Sequence, residues 1–310
     1  MNISYFEPLS LAWNRMKIAL FKPFDLHKWF VVGFNAFLAG ITEWPRGRGS
    51  QRVGDDGSFR EFIEFPRTAW DWLISHPFWF MTIMFGVALL IVIVIVLTWL
   101  SSRGSFMFLD NVVHNRAEVA NPWRNYKKEG NSLFLWRLVF GLICFGLFVI
   151  FFVIFFTAGG HLYRDSYYDK VPVLFVIQMA LLFFLIAIVT GYISLFLSNF
   201  VVPIMYKNNI PATKAWGRFL SLFGKHPFHF LLFGILMFIM TVLVIILTVI
   251  AGLMTCCIGL ILLIIPYVGT VVTLPIWYTF RAFSLEYLAQ FGPEYDVFPP
   301  AEESLEGATA

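Results

Sequence analysis

The residues best suited to chemistry are few and scattered. In "FGKHPFHF", residues 223–230, His226 and His229 sit three apart beside Lys225. Neutral imidazoles at that spacing could ligate a metal or pass a proton. Near-copies, "KPF" at 22–24 and "HPFWF" at 76–80, also stand just before apolar runs. Proline suits the first turn of a helix, where its missing N–H costs nothing. The recurrence therefore predicts a helix-start signal rather than a ligand pair. Asp110 and His114 are one helical turn apart, with Arg103 two turns before Asp110. The pattern could make a small polar site or a partner contact. The favoured expectation is a solvated helix face carrying an i,i+4 pair. In "AGGHLYRDSYYDK", residues 158–170, His161, Asp165 and Asp169 follow i,i+4,i+8 spacing. On a helix they would form a metal set, but the two glycines and three tyrosines predict a turn in an aromatic belt. No Ser-His-Asp order, G-x-S-x-G, P-loop, H-E-x-x-H or C-x-x-C occurs. No catalytic residue, cofactor or metal is therefore expected.

The elements that hold these residues follow from composition. Of 310 residues, 59% are hydrophobic and 13% charged, with 37 Phe and a mean hydropathy of +0.76. Soluble domains carry about 45–50% apolar and about 25% charged residues. Lipid must therefore solvate most of this chain. Six apolar stretches are candidate spans: about 28–41, 78–100, 133–157, 171–197, 228–254 and 258–280. The first is short, and the sixth contains Pro266 and Pro275. The expected fold is all-α: six transmembrane helices as three hairpins in one domain, 1–298. Residues 299–310 form an acidic tail expected to be disordered. The three cysteines, Cys144, Cys256 and Cys257, read as small apolar residues. No cleavable leader is expected at the N-terminus.

Basic residues set the expected orientation. Of the 22 Lys and Arg, Arg46, Arg48, Arg52, Arg60, Arg67, Arg164 and Lys170 fall on one side and the rest on the other. Both termini are therefore expected in the cytoplasm, with 101–132, 198–227 and 281–310 on the same side. The outer loop divides into a Gly-rich part, "PRGRGSQRVGDDGS", expected to be mobile, and "PRTAWDWLISHP". The latter reads as an interfacial helix with Trp70 and Trp72 at headgroup level.

Three stretches share a layout: "LAWNRMKIALFKPF", "NPWRNYKKEGNSLF" and "KAWGRFLSLFGKHPF". Each has a Trp anchor, Trp13, Trp123 or Trp216, ahead of an odd-numbered span. The pattern suggests a threefold repeat of interfacial helix plus hairpin. At 100° per residue, residues 211–226 put Ala212, Trp216, Phe219, Leu220 and Phe223 on one side. Lys214, Arg218, Ser221 and Lys225 fall on the other. Such a helix suits an anionic inner leaflet. In 9–22, Leu9, Trp13, Met16 and Leu20 similarly oppose Ser10, Asn14 and Lys17.

The stretches "LSSRGSFMFLDNVVHNRAEVANPWRNYKKEGNSLFLWRL" and "NFVVPIMYKNNIPATKAWGRFLSLFGKHPFHFLLFGIL" resemble a family of uncharacterised bacterial polytopic membrane proteins. That family resembles the membrane-embedded domain fused to some glycerophosphodiester phosphodiesterases. The resemblance implies a six-helix protein of the bacterial cytoplasmic membrane and carries over no catalytic residue. The apolar cores of the second to sixth spans lack Asp, Glu, Lys, Arg and His. Gln178, Thr190, Tyr192 and Ser194 are their strongest polar features, expected to bond between helices or to their own backbone. The expected role is a non-enzymatic membrane module that docks or regulates a partner, or organises lipid. Its expected partners are an anionic leaflet and a protein or second copy; the net charge of +3 gives no reason to expect nucleic acid. The alternative is a permease or channel for a lipid-like or neutral solute. Least favoured is a membrane component of a lipid-processing enzyme system.

Overall fold

The computed structural model describes residues 3–22, 24–41, 56–164, 173–255, 259, 263 and 265–298. Among them regular structure is entirely helical. The chain divides into two units. The first comprises Met1–Glu43, Leu97–Trp136 and Ile193–Ala310; the second comprises Trp44–Val96 and Arg137–Tyr192.

Four helices are long and apolar enough to cross a membrane, so the chain reads as a membrane protein. They are α4 (Pro77–His114), α6 (Lys127–Arg164), α7 (Val173–Phe196) and α10 (Pro227–Met254). A π-helical turn, Leu197–Val201, carries α7 into α8 (Val202–Asn208). The remaining helices are α1 (Glu7–Phe21), α2 (Leu26–Gly40), α3 (Asp56–Ser75), α5 (Ala120–Asn125), α9 (Ala212–Lys225), α11 (Pro266–Val272) and α12 (Leu274–Ala289). The proline signals hold where described. His76 precedes Pro77 at the start of α4, and His226 is the N-cap of α10 with Pro227 in its first turn.

In the second unit, every residue of α4 from Met81 to Val96 is exposed, and all but Thr82 are apolar or Gly. A helix apolar all round needs a non-aqueous surrounding. Phenylalanines join the other helices: Phe62 lies 5.5 Å from Phe156, Phe151 5.7 Å from Phe183 and Phe155 5.8 Å from Phe175 between ring centroids. Helix α6 continues to Arg164, so residues 158–164 are helical rather than the expected turn. Helix α3 begins at Asp56, well ahead of the expected interfacial stretch, and keeps Pro66 within it. Residues 45–55 of the Gly-rich stretch and 299–310 of the tail lie outside the described residues.

The first unit has a buried core of three helical segments that meet pairwise. On α4, all residues from Ser101 to Val113 are buried. Tyr206 of α8 donates to Asp110 of α4, Tyr278 of α12 donates to the Val112 carbonyl, and Arg281 of α12 donates to the Ser198 carbonyl. Aromatic packing closes this core. Phe200 lies 5.5 Å from Phe219, 5.0 Å from Phe230 and 4.9 Å from Phe233, and Phe233 lies 4.7 Å from Tyr287. Such pairs add about 0.5–1.5 kcal/mol each beyond their area.

Two of the six expected spans, 28–41 and 258–280, are not among the four long helices of the described residues. Helix α2 has 15 residues. At about 1.5 Å each it reaches about 22 Å, short of a hydrocarbon core about 30 Å thick. It packs along the buried part of α4. A Cβ on Gly104 would lie 2.5 Å from Leu38 Cβ, Ser101 donates to the Ala39 carbonyl, and Lys28 donates to Asn115. The expected sixth span is interrupted at Thr273, between α11 and α12, where Pro275 removes a helical N–H. Helix α12 then buries Tyr278, Phe283 and Tyr287 in the first unit.

On two surface helices the buried stripe overlaps the expected apolar face only in part. On α1 the buried stripe is Pro8, Ala12, Met16, Ala19 and Leu20, while Trp13 is 51% exposed. On α9 the buried residues are Ala212, Ala215, Phe219 and Leu222, while Leu220 is exposed.

Candidate functional site

The strongest polar cluster centres on Asp110, which is 8% exposed. The expected solvated face is therefore corrected: this side of α4 is enclosed by apolar neighbours, and the carboxylate finds protein donors instead of water. Tyr206 donates to Oδ1 at 2.7 Å and Tyr126 donates to the same oxygen at 3.3 Å. His114 Nδ1 lies 3.3 Å from that oxygen and 3.3 Å from the Tyr206 hydroxyl. The two phenol rings are 4.8 Å apart, and Tyr126 stacks on Phe106. Burial pushes the Tyr126 phenol above its ordinary pKa, so it stays a donor across the neutral range. Helices α4 and α8 and the chain between α5 and α6 are thus clasped through one carboxylate. Buried carboxylates need such donors, because an unpaired charge in a core costs several kcal/mol.

Beside it, Asn111 and Asn35 both donate to the Glu118 carbonyl, and Glu118 N–H donates back to Asn111. These bonds fix the loop that follows α4. The loop begins at Asn115, whose φ is 54°, and Arg116 N–H closes on the Asn111 carbonyl. Helix α8 ends the same way at Asn209, φ 50°, with Ile210 N–H on the Met205 carbonyl. Both are Schellman ends with Asn at the left-handed position.

Arg103 is the first cation beyond the apolar run of α4 and is 7% exposed. Its guanidinium carbon lies 4.7 Å from the ring centres of both Trp99 and Trp123. The two indoles meet edge to face at 5.6 Å. Nη2 donates to Asn131 Oδ1 at 3.1 Å, whereas Nε is buried with no hydrogen-bond partner. Gly130 makes room, since a Cβ there would come 3.1 Å from Arg103 Cγ. Cation–π contacts contribute about 0.5–2 kcal/mol each but neutralise no charge. Sequence reasoning grouped Arg103 with Asp110 and His114, two turns along the same helix, and not with Trp99 and Trp123. Its signal was its place just beyond a charge-free span.

The other anticipated residues separate. His161 lies exposed in α6, and Asp165 and Asp169 fall outside the described residues. Among the described residues no group of three His, Cys, Asp or Glu could hold a metal. His229 Nδ1 meets the Tyr5 hydroxyl at 2.7 Å and the Tyr287 hydroxyl donates to the His229 carbonyl, so this histidine ties the N-terminal segment to α10 and α12. His226 packs on Phe291. Trp123 is half-buried in the Arg103 cluster, and Trp216 is half-buried against Trp136 at 5.2 Å. Trp70 and Trp72 are exposed on α3, Trp72 stacking on His76. Lys214, Arg218 and Lys225 are exposed on α9. Thr190 donates to the Ile186 carbonyl of its own helix, as expected for an isolated hydroxyl in a span.

The model of the family of unknown function DUF7544 matches residues 3–286, and the chain belongs to that family. No curated protein and no solved structure matches the chain.

Proposed function

We propose that this member of the DUF7544 family is a non-enzymatic module of a bacterial cytoplasmic membrane. It gathers anionic lipid at one leaflet and offers that surface to a protein partner. The observation that carries the reading is α9. Its buried face packs Ala212, Ala215, Phe219 and Leu222, and it leaves Lys214, Arg218 and Lys225 exposed with no acidic residue on the helix. A cation near an anionic leaflet contributes about 1 kcal/mol.

The same reading puts both termini in the cytoplasm. In its support, the segments 1–27, 101–132 and 198–227, each with more Lys and Arg than Asp and Glu, all belong to the first unit. It also treats the chain as three repeats, each an interfacial helix, an outgoing helix and a returning one. The matching Asn115 and Asn209 ends support two of these. So do the parallel stacks of Phe106 on Tyr126 and Phe200 on Phe219, each three residues beyond an anchor Trp.

The test is native mass spectrometry of the full chain from mild detergent. The wild type should retain anionic phospholipid, and the triple variant Lys214→Gln, Arg218→Gln, Lys225→Gln should retain clearly less. Equal retention by the two proteins would remove the basis for the proposal.

A further inference from the structure

The second-strongest oddity in the first unit is a buried cation with no anion. Arg103 has no carboxylate of the described residues within ion-pair distance. Its contacts are the two indole faces and one neutral amide oxygen, and Nε is left without a partner. Cation–π contacts and one amide leave the charge of this guanidinium uncompensated, so an oxyanion that completes it gains a charge-assisted bond. Its fork of donors matches two oxygens of a phosphate. Arg124, Lys127 and Lys128 are exposed on α5 and the first turn of α6, the turn that contains Gly130 against Arg103. They raise the positive potential at its rim. The position also selects for chemistry. Arg103 follows directly on a span that ends near Leu100, at the depth where indoles and lipid phosphates meet.

We propose that Arg103, Trp99, Trp123 and Asn131 form a binding site for a phosphate-class oxyanion, supplied by an anionic phospholipid headgroup or from solution. The guanidinium holds the phosphate, the indoles fix its plane, and Asn131 sets the orientation of the fork. The site rests on the reading that this side of the chain faces an anionic leaflet, but not on α9.

The experiment titrates the full-length protein in mild detergent with dioctanoyl phosphatidylglycerol, dioctanoyl phosphatidylcholine or inorganic phosphate. Binding is read by calorimetry and by the rise in unfolding temperature. Saturable binding of phosphatidylglycerol without inorganic phosphate assigns the lipid source; binding of both assigns the phosphate group itself. Either result supports the site if Arg103→Lys, which keeps the charge and loses the fork, weakens it tenfold or more. Asn131→Ala, which leaves the guanidinium in place, should weaken it several-fold and covers the case in which Arg103→Lys does not fold. The α9 triple variant should leave this saturable site intact, which separates its failure from that of the broader function. The proposal is overturned if the wild type binds none of the anionic probes. It is equally overturned if phosphatidylcholine binds as well as phosphatidylglycerol, or if the folded variants bind like the wild type.

Discussion

Asp110 shows how much a single residue can hide from its sequence context. Its spacing to His114 was legible. The partner that defines its environment, Tyr206, is 96 residues away and reaches it only because α8 returns beside α4. Local periodicity carries no information about that pairing, so a buried clasp looked like a solvated face. Tyr206→Phe removes the shortest bond to a buried carboxylate and should cost about 1–3 kcal/mol. Thermal unfolding in detergent measures this, and an unchanged transition would show that Tyr206 does not hold the clasp. Gly104 is a second residue-scale test. A Cβ there would sit 2.5 Å from Leu38 Cβ and 2.8 Å from the Ala39 nitrogen, so Gly104→Ala must push two helices apart. It should destabilise by about 1–3 kcal/mol, as overpacking does. Gly141→Ala, with nothing within 4 Å of its Cβ, is the control and should be neutral or mildly stabilising.

At the scale of elements, the four long spans were plain from composition, because a charge-free run of about 20 residues has few other solutions. The short ones were not. Apolar runs at 28–41 and 258–280 have the same composition whether lipid or protein surrounds them. Only the geometry shows Leu38 against Gly104 and Tyr278 bonded to Val112. The buried stripes of α1 and α9 match the expected faces only in part for a related reason. A hydropathy wheel weights Trp13 and Leu220 heavily, whereas close packing favours Ala12, Ala212 and Ala215. The left-handed ends give a test at this scale. Asn209→Gly should be tolerated. Asn209→Val places a β-branched residue at φ 50° and should cost about 1–2 kcal/mol. A Val variant that melts with the wild type would mean that the end of α8 does not need this conformation.

For the whole molecule, the positive-inside pattern predicts which residues share a side, and single-cysteine labelling in intact cells checks it. On a background lacking Cys144, Cys256 and Cys257, Ser221→Cys on α9 should react only after the inner face is opened. His161→Cys at the far end of α6 should react from outside. Labelling of both from the same side would break the proposed topology, and exchanged labelling would reverse it.

The most direct measurement of the central claim is the lipid selectivity of the reconstituted chain. Spin-labelled phosphatidylglycerol and phosphatidylcholine can be compared at low and high salt. The account predicts that phosphatidylglycerol is preferred, that salt weakens the preference as screening shortens the Debye length, and that neutralising Lys214, Arg218 and Lys225 removes most of it. At about 1 kcal/mol for each of three cations, the loss comes to somewhat more than about a hundredfold in relative association. Equal association of the two lipids with the wild-type protein at low salt would contradict it.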